Sequence, residues 1–352
     1  MVRIAIDAMG GDNAPRAVVE GAVWAAQDYN VPIELVGKED IIKEELARIQ
    51  REGIHHRRGG LLKFLNQNIK IDTSKLDIKI THAQEVIEMD EAPAQAIRKK
   101  RKSSIVLAVQ AVAQGSSDAV VAAGSTGAAM GSALFGLGRL NGIERPAIAV
   151  VLPTMKKPFM FLDAGANASC TPEMLYQFAI MGSTYYKNVF KVENPRVGVL
   201  NIGEEAGKGN ELVQNVYKML DENTDGINFI GNIEGKELFH GDCDIVVCEG
   251  FVGNVALKII EGSTTMLLNL VKQEFMSDVL AQIVGLLAKP FMKRIYKRIN
   301  YEEFGGALLL GVKGVTVISH GRSSNYAIKN AVRVAKEAVE TEVNRKIAEI
   351  YQ

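Results

Sequence analysis

Cysteine is nearly missing from this chain: Cys170, Cys243 and Cys248 are the only three in 352 residues. So sparse and odd a set excludes a disulfide framework. Cys243 and Cys248 also lack the second pair of ligands that a structural zinc site requires, so they read as buried thiols on a strand, and no metal is expected. Net charge is missing as well. Lys plus Arg and Asp plus Glu number 41 each, so nothing draws the whole molecule to nucleic acid, and an electrostatic partner has to meet a local patch. There is no apolar leader: MVRIAIDAMGGD puts Asp7 inside the stretch that a signal peptide keeps uncharged, which implies a cytoplasmic protein. Nor is the chain polar enough for disorder, with 47% hydrophobic and 23% charged residues, the composition of a folded domain.

What is present is an alternation. Short β-branched, apolar runs are separated by longer segments of helical period, the pattern of parallel strands joined by crossover helices. The strands expected are RIAIDA from Arg3, IELVG from Ile33, DAVVAA from Asp118, AIAVVLP from Ala147, FMFLDAG from Phe159, RVGVLN from Arg196, INFIGN from Ile227, DIVVCEG from Asp244 and GVTVISHG from Gly314. Most are continuously hydrophobic, so both faces of the sheet are covered, as in a three-layer α/β/α sandwich. Helices are expected over 15–28, 127–140, 172–187, 210–221, 254–273 and 324–350. The stretch 51–75, with adjacent His55 and His56, reads as a solvated loop, because neighbouring imidazoles point to different sides and no further ligands lie close.

Several strands run into small-residue turns. DAMGGDNAP (Asp7, Gly10, Gly11, Asp12, Asn13, Pro15) and AGSTGAAMG (Gly124, Ser125, Thr126, Gly127) each precede a helix, a place where free N–H groups hold an anion. The alternative use of such glycines is close packing. LDAGANASCTPE places Asp163 and Asn167 at a strand's C-terminal end, where open α/β sheets bind ligands. NIGEEAGKGNE holds Lys208 and Asn210, and CEGFVGNVALK holds Asn254. Lys208 is the only cation of its loop and suits phosphate, or else is a solvated lysine. Glu204, Glu205 and Glu249 read as acids or bases, or as helix caps and dipole partners. SHGRSSNYA brings His320 and Arg322 to a glycine turn, fit to polarise a carbonyl or bind an anion, with capping by Ser323 or Ser324 the simpler role. GxSxG and the Walker pattern GxxxxGKS/T are absent, GxGxxG is absent from both glycine turns, and no cysteine sits in a nucleophile motif with a histidine partner.

The segment 276–299 breaks the rhythm. Leu280, Ile283, Leu286, Leu287 and Phe291 are followed by a basic cluster that includes Lys293 and Arg294. Its uncharged run ends at Lys289, too short for a span of about 20 residues. Two readings fit: an element lying in an anionic membrane surface, or a helical hairpin packed in a dimer interface. The chain then divides into an α/β catalytic domain, 1–275 and 300–352, and this amphipathic excursion in its C-terminal third.

Taken in order, IAIDAMGGDNAP, EVIEMDEAPAQAIRKKRKSS from Glu85, AGSTGA, GIERPAIA, LDAGAN, NIG with KGNEL, FIGNIEG, EGFVGNVALK, FGGALLLGVKG and SHG resemble the PlsX-type phosphate acyltransferases across nearly the whole chain. The resemblance implies reversible acyl transfer from acyl carrier protein to inorganic phosphate, with the acyl phosphate passing to a membrane glycerol-3-phosphate acyltransferase in phospholipid synthesis. It also implies a homodimer without metal or organic cofactor, a fold like the isocitrate/isopropylmalate dehydrogenases and phosphotransacetylases, and peripheral attachment to the inner face of the cell membrane. In that frame Asp163, Asn167, Lys208 and His320 are the catalytic candidates. The phosphate or substrate contacts are Asp7, Gly10, Gly11, Asp12, Asn13, Gly124, Ser125, Thr126, Gly127, Asn210 and Asn254. Phosphate, already an anion, attacks a thioester without an activated side chain, provided the protein positions it and stabilises the oxyanion. The run Arg98, Lys99, Lys100, Arg101 and Lys102 becomes a dock for an acidic carrier protein, or else a solvated helix end. Asn13 stands where many relatives carry histidine and Ser125 where many carry asparagine, so an imidazole cannot act at position 13. Two other readings stay open: a short-chain phosphotransacetylase using coenzyme A, and a nonenzymatic membrane-bound scaffold of lipid synthesis.

Overall fold

The computed structural model describes residues 1–56, 67–223 and 226–351. Its strands are β1 (Ile4–Asp7), β2 (Ile33–Gly37), β3 (Ile54–His56), β4 (Gln67–Ile69), β5 (Ile78–His82), β6 (Ala119–Ala122), β7 (Ala147–Leu152), β8 (Phe159–Leu162), β9 (Arg196–Asn201), β10 (Asn228–Glu234), β11 (Ile245–Val247), β12 (Ala307–Leu310) and β13 (Val315–Ile318). The helices are α1 (Arg16–Tyr29), α2 (Glu39–Glu52), α3 (Pro93–Lys99), α4 (Ser104–Ala113), α5 (Thr126–Gly136), α6 (Pro172–Phe190), α7 (Glu211–Asp221), α8 (Gly250–Glu274), α9 (Val279–Ile299), α10 (Asn325–Glu340) and α11 (Val343–Ile350). Eleven strands form one sheet in the order β10-β9-β11-β8-β7-β12-β13-β6-β1-β2-β5, and β3 pairs with β4 apart from it. The loop expected over 51–75 thus carries a small antiparallel ribbon, and the residues joining its strands lie outside those described.

Central strands such as β1, β6, β8 and β13 are buried along their whole length, because helices cover both faces. One face packs α1, α2, α6, α7, α10 and α11 around Ile4, Leu35, Phe178 and Ile328. The opposite face packs α3, α4 and α5 around Val120, Ala129 and Leu309, with α8 beside them over β7, β8 and β11 through Leu257 and Ile260. The three-layer sandwich is therefore as expected.

The all-parallel pattern is not. β7 pairs antiparallel with β8 and with β12, and β12 antiparallel with β13. Short connections force this: residues 153–158 join β7 to β8 and 311–314 join β12 to β13, too few for a crossover, which takes a dozen or more. The consequence is a sheet with two polarities. β1, β2, β5, β6 and β13 run one way, while β8, β9, β10 and β11 run the other. Their C-terminal ends emerge at opposite edges of one sheet.

Helix α8 links the two edges. It starts beside the C-terminal end of β8, where the Gly250 N–H donates to the Asn167 carbonyl at 2.9 Å. Ten residues on, Ile260 packs with Leu238 and Phe239 near the start of β8. At 1.5 Å per residue, the remaining turns of α8 rise roughly 20 Å beyond the sheet. α9 returns antiparallel, and the two close where a Cβ on Gly285 would stand 3.0 Å from Phe275. The expected helix 324–350 is broken at Glu342, which adopts φ +53° between α10 and α11.

Candidate active site

At the first edge, the turns after β1, β6 and β13 lean on one another. A Cβ on Gly10 would meet Gly124 N at 2.9 Å and Asp7 Oδ2 at 2.6 Å, and one on Gly11, at φ +105°, would meet the Ala123 carbonyl at 2.6 Å. Only glycine allows this approach. Asp12 N donates to the Gly321 carbonyl at 2.8 Å, and the Asn13 amide donates to the Arg322 carbonyl at 3.0 Å and that of Ser323 at 3.3 Å. Asp12 also faces Arg322 at 3.6 Å. Asp7 is 3% exposed, its Oδ1 accepting from Met9 N at 3.2 Å. Burial pushes its carboxyl above the usual range, against hydrogen bonds from Ser104, Met9 and Gly10. Gly10, Gly11 and Asn13, expected as ligand contacts, thus build the turn.

The groups that face outward there are Thr126 and His320, both exposed. Ser125 caps α5 through Ala128 N at 3.4 Å, and the other first-turn N–H groups of α5 have no acceptor within the helix. Gly127 lets Pro93 of α3 lie against this turn, where a Cβ would sit 2.6 Å from the proline ring. His320 Nδ1 accepts from Arg322 N at 3.1 Å; the neutral ring therefore carries its proton on Nε2 and presents a donor outward. Ser324, not Ser323, caps α10, through Ala327 N at 3.2 Å.

At the opposite edge stand Asp163, Asn167, Lys208, Asn210 and Asn254. The Asp163 carboxylate is fully buried and accepts five hydrogen bonds: Ile148 N at 3.0, Gly165 N at 3.1 and Ala166 N at 2.9 Å on Oδ1, and Asn167 N at 2.8 and Asn167 Nδ2 at 2.9 Å on Oδ2. Burial raises its pKa, and these donors oppose the shift. It organises the loop, with no lone pair left over for proton transfer. Gly253 and Gly250 of the EGFVGN run let α8 seat on this loop: Cβ atoms there would stand 1.9 Å from the Asp163 carbonyl and 2.5 Å from the Asn167 carbonyl. Asn210 caps α7 by accepting from Val213 N at 3.0 Å. Glu249 occupies the cap position of α8 without a side-chain cap bond. Buried Asn201 shapes the neighbouring loop by donating to the Lys208 carbonyl at 3.1 Å, leaving the Lys208 side chain exposed with Asn254 on the nearby helix.

The four catalytic candidates therefore do not meet within one chain. His320 lies at one edge and Asp163, Asn167 and Lys208 at the other, about 20 Å apart from strand spacing and rise. None of the three thiols is a poised nucleophile. Cys243 and Cys248 are buried, and burial pushes the half-buried Cys170 thiol up to about 11. Among residues that sequence reasoning passed over, Ser104 holds Asp7. Glu34, an acid in an apolar strand, is buried between Lys79 at 2.8, Thr81 at 2.6 and Ser117 at 2.9 Å.

A two-polarity sheet of this form is the fold of phosphotransacetylases. The EutD phosphotransacetylase from Staphylococcus aureus superposes with a TM-score of 0.59 at 14% identity, covering 96% of this chain and 94% of that one. A phosphotransacetylase from Streptococcus pyogenes gives 0.60 at 14% identity with the same coverage. A 4-hydroxythreonine-4-phosphate dehydrogenase from Klebsiella pneumoniae gives 0.52 at 12% identity, covering 96% of this chain and 99% of that one. The sequence narrows the class. The profile of the family described as Fatty acid synthesis protein matches residues 2–58 and 60–346. The phosphate acyltransferase of Dictyoglomus turgidum is 48% identical over 349 residues, 99% of this chain and 97% of that protein, and that of Desulforamulus reducens 50% over 341, 97% and 94%. The chain belongs to this family, the phosphate acyltransferases of the PlsX type, and is an enzyme.

Proposed function

We propose that the protein reversibly transfers a fatty acyl group from acyl carrier protein to inorganic phosphate, making acyl phosphate for phosphatidic acid synthesis. The carrying observation is a full-length relation to phosphate acyltransferases joined to a turn that offers donors but no nucleophile. Phosphate held at the N-terminus of α5 attacks the thioester carbonyl carbon; the C–O bond forms, the C–S bond breaks, and the carrier leaves as a thiolate that takes up a proton. The outward N–H of His320 and the first-turn amides of α5 are the donors for the anionic oxygens.

The partners follow from surfaces. Arg98, Lys99, Arg101 and Lys102 are exposed on and after α3, whose Pro93 touches the α5 turn, so a carrier docked on these charges stands near that turn. Lys100 is less available: it donates to Val86 O at 2.7 Å and pairs with Glu91. The excursion 276–299, the unit set apart from the catalytic domain, is the membrane element. Leu280, Ile283, Leu286, Leu287 and Phe291 are 72, 54, 68, 71 and 59% exposed, with Lys293 and Arg294 beyond them. Among the described residues no helix is long and apolar enough to cross a membrane, which suits attachment at the surface, beside a membrane glycerol-3-phosphate acyltransferase. A homodimer covers the remaining apolar face.

The test is acyl phosphate formation by the purified protein with palmitoyl-acyl carrier protein against acetyl-coenzyme A, repeated with Arg98→Glu/Arg101→Glu. Turnover with the carrier, and a raised KM for it at unchanged kcat in the variant, is expected. Turnover with acetyl-coenzyme A alone would replace this reading by the short-chain one.

A further inference from the structure

Helix α8 carries an apolar stripe along its whole length: Phe251, Val255, Ile259, Met266 and Leu270 are 63, 44, 62, 60 and 53% exposed. Gly262 falls near its middle. Successive members are three or four residues apart, counting the glycine, so they share one side of the helix. The stripe begins next to Gly250 and Asn254, at the edge that holds Asp163, Asn167 and Lys208, and ends roughly 20 Å beyond the edge that holds His320 and the α5 turn.

We infer that a second copy of this chain occupies the stripe, and that Lys208 of one copy completes the site formed by His320 and the α5 turn of the other. The inference rests on the acyl-transfer reading above. A closed homodimer is two-fold and its contact self-complementary. When one helical stripe packs on its own copy about an axis crossing it near Gly262, the two helices run antiparallel. The start of each α8 then lies against the end of the other. This carries the loop of Asn201, Lys208 and Asn254 from one copy to the side of the sheet where the other presents Thr126 and His320. Two half-sites that the sheet keeps apart within a chain are joined between chains, with a mobile cation from one facing a helix N-terminus and an N–H donor from the other. Phosphate, with two negative charges to place, is the ligand such a pair fits.

Complementation tests this. Lys208→Ala and His320→Ala are made on chains with different affinity tags, and the heterodimer is purified through both tags. Each parent is checked for wild-type circular dichroism and size. Both parental homodimers are expected to lose at least about tenfold in kcat/KM, and the heterodimer, with one intact composite site, to recover roughly half the wild-type rate per dimer. A heterodimer as inactive as its parents, or a fully active Lys208→Ala homodimer, overturns the inference while an active wild type leaves the acyl-transfer reading standing. Ile259→Arg, at the centre of the stripe, is expected to give an inactive monomer; a monomer with full activity also overturns it.

Discussion

Replacing Asp163 by asparagine separates an organising carboxylate from a catalytic one. Its two oxygens accept five hydrogen bonds, three on Oδ1 and two on Oδ2. An amide keeps one oxygen and turns an NH2 toward the donors of the other. The better orientation retains the three on Oδ1 and leaves the Asn167 N–H and side-chain amide facing a donor. Each unsatisfied buried donor costs about 1–3 kcal/mol, so Asp163→Asn destabilises by roughly 4 kcal/mol. At about 2–3 °C per kcal/mol for a chain of this size, Tm falls by about 10 °C. Thermal unfolding followed by circular dichroism reads the first number, and kcat/KM from pH 5 to 9 reads the role. The expected variant unfolds early and loses activity with the shape of its pH profile unchanged. A variant with wild-type Tm whose profile loses one limb would refute the reasoning, because that is the mark of a proton-transfer group.

Gly253→Ala drives a methyl into the Asp163 carbonyl, 1.9 Å from the Cβ position; lifting the start of α8 should cost about 3 kcal/mol, seen as a lower urea midpoint, whereas Gly207→Ala, with nothing within 4 Å, should not move it. Cys170, with its thiol at about 11, should react with iodoacetamide slowly at neutral pH and about tenfold faster per unit through pH 10, and a plateau near pH 8.5 would contradict that burial. Glu34 is pushed up by burial but drawn below its usual value by bonds from Lys79, Thr81 and Ser117. Its stabilising contribution is thus present above the unfolded pKa near 4.5 and lost as pH falls through the lower folded value. Lys79→Met should therefore move the acid-unfolding midpoint upward; an unchanged midpoint removes this role. Leu280→Asp/Leu287→Asp should abolish co-sedimentation with phosphatidylglycerol vesicles while sparing turnover on soluble carrier protein.

The sandwich was legible because buried strands such as IAID and IVV have no polar residue to expose except at their ends. β12 escaped notice since ALLL sits between glycines, and β5 because IKITH, at the sheet edge, is only partly buried. The polarity reversal was written in the lengths of two connections, yet a sequence shows strand ends and not strand directions. That is why His320 was grouped with Asp163: both follow a strand, but the strands point opposite ways. The glycine turns were read correctly as close approaches, and most of their polar residues proved to tie turn to turn. What separated Asn13 and Asp163 from Thr126 and His320 was the count of hydrogen bonds already made, which only three-dimensional placement reveals.

Direct attack by phosphate is the claim on which the account turns, and a single-turnover experiment reaches it. Enzyme is mixed with an equal amount of palmitoyl-acyl carrier protein in phosphate-free buffer, and carrier thiol is followed before and after phosphate is added. The account expects no thiol until phosphate arrives, then one thiol and one acyl phosphate per carrier; a burst of thiol without phosphate, matching the enzyme concentration, would mean an acyl-enzyme and contradict it.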